Sequence, residues 1–117
     1  MVVDDAYQRV TDVVRGADLL LSTPRQLLLQ ALLGFPGPGY LHLPIAVNGA
    51  GEKLSKQTHA HSLEGQEPGS TLWRALAFLR QEPPEALRTA SIGEIWSWAR
   101  PHWRREPLRG IASQKSD

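Results

Sequence analysis

Five of the six residues from Gly34 to Gly39 are glycine or proline, and a run of that composition lets neither a helix nor a strand pass through it. It cuts the first half of the chain into pieces of different period. Before it lies a leucine-rich stretch, with Leu27, Leu28, Leu29, Ala31, Leu32 and Leu33. Its start is marked by Thr23 as an N-cap, Pro24 at the first helical position and Gln26 three residues past the cap, so a helix is expected to about Leu33. Few of its faces are polar, and it is expected to pack against a sheet on one side and another element on the other. After the run, Leu41, Leu43 and Ile45 alternate with less apolar residues, the period of a half-buried strand. Val10 to Val14 reads as an earlier, mostly buried strand, and Val2-Val3-Asp4-Asp5 as the end of another. Strand, helix and strand in that order predict a right-handed parallel crossover and an α/β fold.

The chemistry gathers at two places in this frame. Asn48-Gly49 suits a tight hairpin turn, since both residues tolerate positive φ. Beyond it come Lys53-Leu54-Ser55-Lys56-Gln57, two ammonium groups three residues apart with a hydroxyl between them. Such a loop at a sheet's rim suits a polyphosphate. It is not a Walker-type loop, because Glu52 separates Gly51 from Lys53 and Leu54 stands where that motif needs Ser or Thr. The second place is Arg15. It precedes Gly16 at the C-terminal end of a strand, the edge at which open α/β sheets bind ligands. Its planar fork suits a carboxylate ligand, or equally an ion pair with Asp12 or Asp18.

His42-Leu43-Pro44, the apolar run to Val47, Asn48-Gly49 and Lys53 to Gln57 together resemble the KMSKS signature of class I aminoacyl-tRNA synthetases in its glutamate-specific form. Gln57-Thr58-His59-Ala60 is more similar to the truncated paralogues, the glutamyl-Q tRNA(Asp) synthetases, than to full-length glutamyl-tRNA synthetases. The likeness extends back through Val14 to Leu20 and Ser22 to Gln26, and so covers most of the chain up to about Leu63. It implies that residues 1–63 form the second half of a Rossmann-like nucleotide-binding domain and that 64–117 form a small helical subdomain meeting the acceptor side of tRNA. The half that carries the HIGH signature is absent, so the resemblance is to the C-terminal part of such an enzyme, and the isolated chain is expected to be inactive and poorly stable. It also implies an ATP-dependent ligase: glutamate attacks the α-phosphate to give glutamyl-adenylate, and the glutamyl group passes to the queuosine of tRNA(Asp).

In that reaction Lys56 neutralises the departing pyrophosphate, Lys53 assists, and Ser55 donates to a phosphate oxygen. Lys53 to Gln57 bind ATP, which arrives with Mg2+. Arg15 matches the arginine that holds glutamate, and Asp18 falls near the ribose. Arg9 stands where the family commonly has glycine, a departure that bears on the turn before the strand. Two other readings remain open: a clipped synthetase that charges tRNA(Glu), and a non-catalytic RNA-interaction remnant.

Composition narrows the setting. At 117 residues with a formal charge of +1, the chain is one small domain's worth of sequence. It has no cysteine, hence no disulfide and no thiolate zinc site. His59 and His61 lack a carboxylate at ligand spacing and are not read as a metal site. With no long apolar run and no basic leader, a cytoplasmic monomer is expected. Toward the C-terminus, Arg100, Arg104, Arg105, Arg109 and Lys115 interleave with Trp96, Trp98 and Trp103, as suits either an RNA surface or a helix core. Leu72, Ala75, Leu76 and Leu79 predict a helix capped by Ser70 or Thr71 and stopped by Pro83-Pro84. Ser91 and Glu94 predict a capping box, with Ile92, Ile95, Trp96 and Ala99 on one face before Pro101. These helices are expected to pack beneath the Lys53 loop.

Overall fold

The computed structural model describes residues 1–55 and 62–116. The expected strand, helix and parallel strand are present. Strand β1 (Asp12–Gly16) leads through a 3-10 helix (Ala17–Ser22) into helix α2 (Thr23–Leu32), and strand β2 (Gly39–Leu43) returns parallel to β1, with Arg15 beside His42. The chain opens differently. Val2–Tyr7 is a short helix, α1, and not a strand end. Two valines carry no period of their own, and Asp4 and Asp5 in the first turn favour a helix N-terminus. The first strand also starts at Asp12, later than Val10. It is less covered than expected, since Val14 is 59% exposed.

Helix α2 packs the opposite way from its composition. Its buried residues are Thr23 and Gln30, while Leu28 and Leu32 are exposed, Leu32 at 75%. The face that meets the sheet is polar because it meets Tyr40, Arg15 and His42: Gln30 donates to the Tyr40 hydroxyl at 3.0 Å. Nor does Thr23 cap the helix. The N-cap is Ser22, without a side-chain bond, and the Thr23 hydroxyl is engaged with Arg15 and His42.

Pro44 has no N–H to donate, and at this residue the strand changes partner. Strand β3 (Ile45–Val47) pairs parallel with β4 (Ser113–Lys115), Val47 facing Lys115. No apolar pattern announces β4; its pairing comes from β3. On its other side β3 forms an antiparallel bridge between Val47 and Lys53. The connection is longer than a two-residue Asn-Gly turn. Asn48 and Glu52 close it through Asn48 N–H to Glu52 carbonyl at 2.9 Å, the Asn48 side-chain oxygen accepts from Ala50 and Glu52 N–H, and Gly51 takes the positive φ of 82°.

The helical portion has its own core. Helix α3 (Pro68–Phe78) and helix α4 (Ile92–His102) enclose Leu76, Ile95 and Ala99, with Leu72, Trp73, Leu87 and Trp98 against them. Helix α3 begins at Pro68 with Glu67 as N-cap, ahead of Ser70 and Thr71, because the fixed φ of proline suits a first helical residue. It ends at Phe78, before the two prolines, and Arg80 and Glu82 take positive φ in the turn. Gly69 permits the close approach: a Cβ there would stand 2.6 Å from the Ala90 carbonyl oxygen. The Ser91–Glu94 capping box forms as expected. Of the predicted α4 face, Ile95 and Ala99 are buried, whereas Ile92 and Trp96 are exposed and Trp98 packs on the core instead. Pro101 does not end the helix, which runs one residue further. No helix among the described residues is long and apolar enough to cross a membrane.

Candidate active site

The C-terminal end of β1 collects the charged groups. Arg15 shares a sheet face with Val13, Tyr40 and His42, because parallel register sets Val13 beside Tyr40 and Arg15 beside His42. The guanidinium donates to the Thr23 hydroxyl at 2.6 Å, points Nε at His42 Nε2 at 3.5 Å, and lies 5.0 Å from the Tyr40 ring centre. His42 Nε2 is in turn 2.8 Å from the Thr23 oxygen, and its ring stacks on Tyr40 at 6.1 Å. A hydroxyl, an imidazole and an aromatic face therefore fix the guanidinium's direction. Among the described residues Arg15 forms no ion pair with a carboxylate; neither Asp12 nor Asp18 takes that role.

Asp18 pairs elsewhere. Lys53 Nζ donates to its Oδ2 at 2.6 Å, linking the 3-10 helix after β1 to the hairpin after β3. That hydrogen bond, ahead of the ammonium's charge, holds the Asp18 carboxyl below the usual aspartate value, against a smaller opposing effect of burial. Gly16 makes room for it, since a Cβ on residue 16 would collide with Asp18 Oδ1 and stand 3.3 Å from the Ile45 side chain.

Of the residues expected to carry the chemistry, Arg15, Asp18, Lys53, Leu54 and Ser55 are described, and Leu54 is tied down by its N–H to the Ala46 carbonyl at 2.9 Å. Lys56, Gln57, His59 and His61 lie outside the described residues. Thr23, Tyr40 and His42 were not legible as partners of Arg15. The available signal was the two-residue spacing of Tyr40 and His42, which places both on one strand face.

These features, an arginine at a strand's end and a lysine loop anchored beside it, agree with the comparisons. The family model for the catalytic domain of class I tRNA synthetases (E and Q) matches residues 1–80. The chain belongs to this synthetase family. Within the family it is similar to glutamyl-Q tRNA(Asp) synthetases. That of Aromatoleum aromaticum is 59% identical over 103 residues, covering 88% of this chain and 33% of that protein. That of Dechloromonas aromatica is 54% identical over 103 residues, covering 88% and 34%. That of Pseudomonas paraeruginosa is 47% identical over 118 residues, covering 99% and 40%. The chain thus spans about a third of the length of the first two curated relatives.

Proposed function

We propose that this chain supplies part of the active site of a ligase that activates glutamate with ATP and transfers it to the queuosine of tRNA(Asp). Residues 1–63 serve as the second half of its nucleotide-binding domain and 64–117 as a helical subdomain. The observation that carries the reading is Arg15, aimed by Thr23, His42 and Tyr40 at the end of a parallel strand with no carboxylate bonded to it among the described residues. A cation so held is prepared for an acidic ligand, and glutamate offers its carboxylates.

The other substrate is met by the hairpin. A glutamate carboxylate oxygen attacks the α-phosphorus, the bond to pyrophosphate breaks, and Lys56 with Lys53 takes up the charge that develops on the leaving oxygens. Ser55 donates to a phosphate oxygen within the ATP-binding run from Lys53 to Gln57. Magnesium arrives with the triphosphate. The working enzyme is a cytoplasmic monomer that includes a HIGH-bearing half, and the 117 residues by themselves are inactive.

The test is pyrophosphate exchange in the enzyme at the length of its relatives. Lys56→Ala lowers glutamate-dependent exchange on the order of a hundred- to a thousandfold, while Arg15→Ala raises the KM for glutamate. An unchanged exchange rate, or an unmoved KM, would remove the corresponding role. Charging of tRNA(Glu) without modification of tRNA(Asp) would reassign the acceptor. The exposed rings of Trp96 and Trp103, set among arginines, favour a second reading, an RNA-binding remnant without chemistry. Retention of tRNA with no glutamate-dependent exchange would select it.

A further inference from the structure

Asp18 and Lys53 are 35 residues apart in sequence and belong to different sheets' surroundings, Asp18 following β1 and Lys53 bridged to β3. The hairpin's own bonds, from Asn48 to Glu52 and from Leu54 to Ala46, set its shape. None of these bonds crosses the gap to the 3-10 helix after β1. The ion pair at 2.6 Å spans that gap, and Gly16 keeps clear the space in which the short Asp18 side chain turns to make it.

We propose that Asp18 is a positioning residue: through Lys53 it anchors the root of the lysine loop to the C-terminal end of β1, beside Arg15. The consequence for catalysis rests on the ligase reading; the anchor itself does not. Lys53 stands three residues before Lys56 in the sequence, so fixing Lys53 fixes the point from which the rest of the loop departs.

Hydrogen exchange in the 117-residue chain, without nucleotide or glutamate, tests it. The reporters are the Asn48 and Leu54 amides, bonded to Glu52 and Ala46, with the Ile95 amide of α4, bonded to Ser91, as internal standard. Asp18→Asn and Lys53→Gln each speed the two loop amides about two- to fivefold, the range an exposed ion pair supports, and leave Ile95 unchanged. The doubly exchanged Asp18→Lys, Lys53→Asp protein regains the slower rates, and about 1 M salt narrows the gap between wild type and the single variants. Unaltered loop exchange in both single variants overturns the anchor, as does equal acceleration at Ile95. The ligase reading stands or falls separately, on pyrophosphate exchange by Lys56→Ala and Arg15→Ala.

Discussion

The βαβ portion and the helical portion handle their apolar residues in opposite ways. In the helical portion, Ile95 is fully buried and Leu76 and Ala99 nearly so, with two tryptophans against them. In the βαβ portion the leucines of the 3-10 helix and α2 face outward, Leu21 at 86%, while buried positions go to Thr23 and Gln30. The contrast teaches that the portion holding Arg15 and Lys53 is organised by polar contacts, and the helical portion by an ordinary core. Exposed leucine on this scale marks a surface suited to cover by further protein, consistent with relatives about three times as long.

The sharpest way to break this contrast is Ile95→Ala. Emptying a fully buried position costs about 2–5 kcal/mol, read as a lower urea midpoint by tryptophan fluorescence, whereas Leu32→Ala stays within about 0.5 kcal/mol. Similar losses at the two positions would mean that α2 is covered after all.

Next in size is the α4 cap. Ser91→Ala costs about 1 kcal/mol because it removes the hydroxyl that accepts from the Glu94 N–H and donates to the Glu94 carboxylate at 2.8 Å. The same contact gives a pH signature. The Ser91 backbone N–H, and then its hydroxyl, hold the Glu94 carboxyl below the ordinary glutamate value. Its contribution is complete above the unfolded pKa and disappears as pH falls through the lower folded one. Helical-portion stability measured from pH 6 downward therefore drops through the acidic carboxylate range, and Glu94→Gln flattens that part of the drop.

The smallest effect sharpens the comparison from the other side. Arg9 sits at φ 57°, a left-handed conformation that costs a side chain but not a glycine. Arg9→Gly stabilises the βαβ portion by up to about 1 kcal/mol, read as a higher melting midpoint. A loss would show that the Arg9 side chain contributes more than its backbone strain removes.

Much of this was legible in the residues where a local signal had no competitor. Ser91 and Glu94 cap α4 because nothing else claims them, and the Gly-Pro run divides α2 from β2 as composition requires. Thr23 carried the same kind of signal and misled, since Arg15 and His42 engage its hydroxyl across the sheet. Arg15 was expected at a strand's end and stands there, but its aromatic and hydroxyl supports belong to β2 and α2 and appear only on folding. Val2-Val3 was too short to show a period. Ser113 to Lys115 had none to show, and its strand exists through Val47 and Ile45.

That last strand has a consequence for the order of assembly. Gln114 accepts from Arg80 at 2.9 Å and donates to the Phe78 carbonyl at 3.0 Å, so the segment that flanks β3 is also fastened to the end of α3. The edge of β3 therefore closes only once Ser113–Lys115 has been made, well after the hairpin itself. Pairing across so long a separation in sequence forms more slowly than the hairpin's own local bonds.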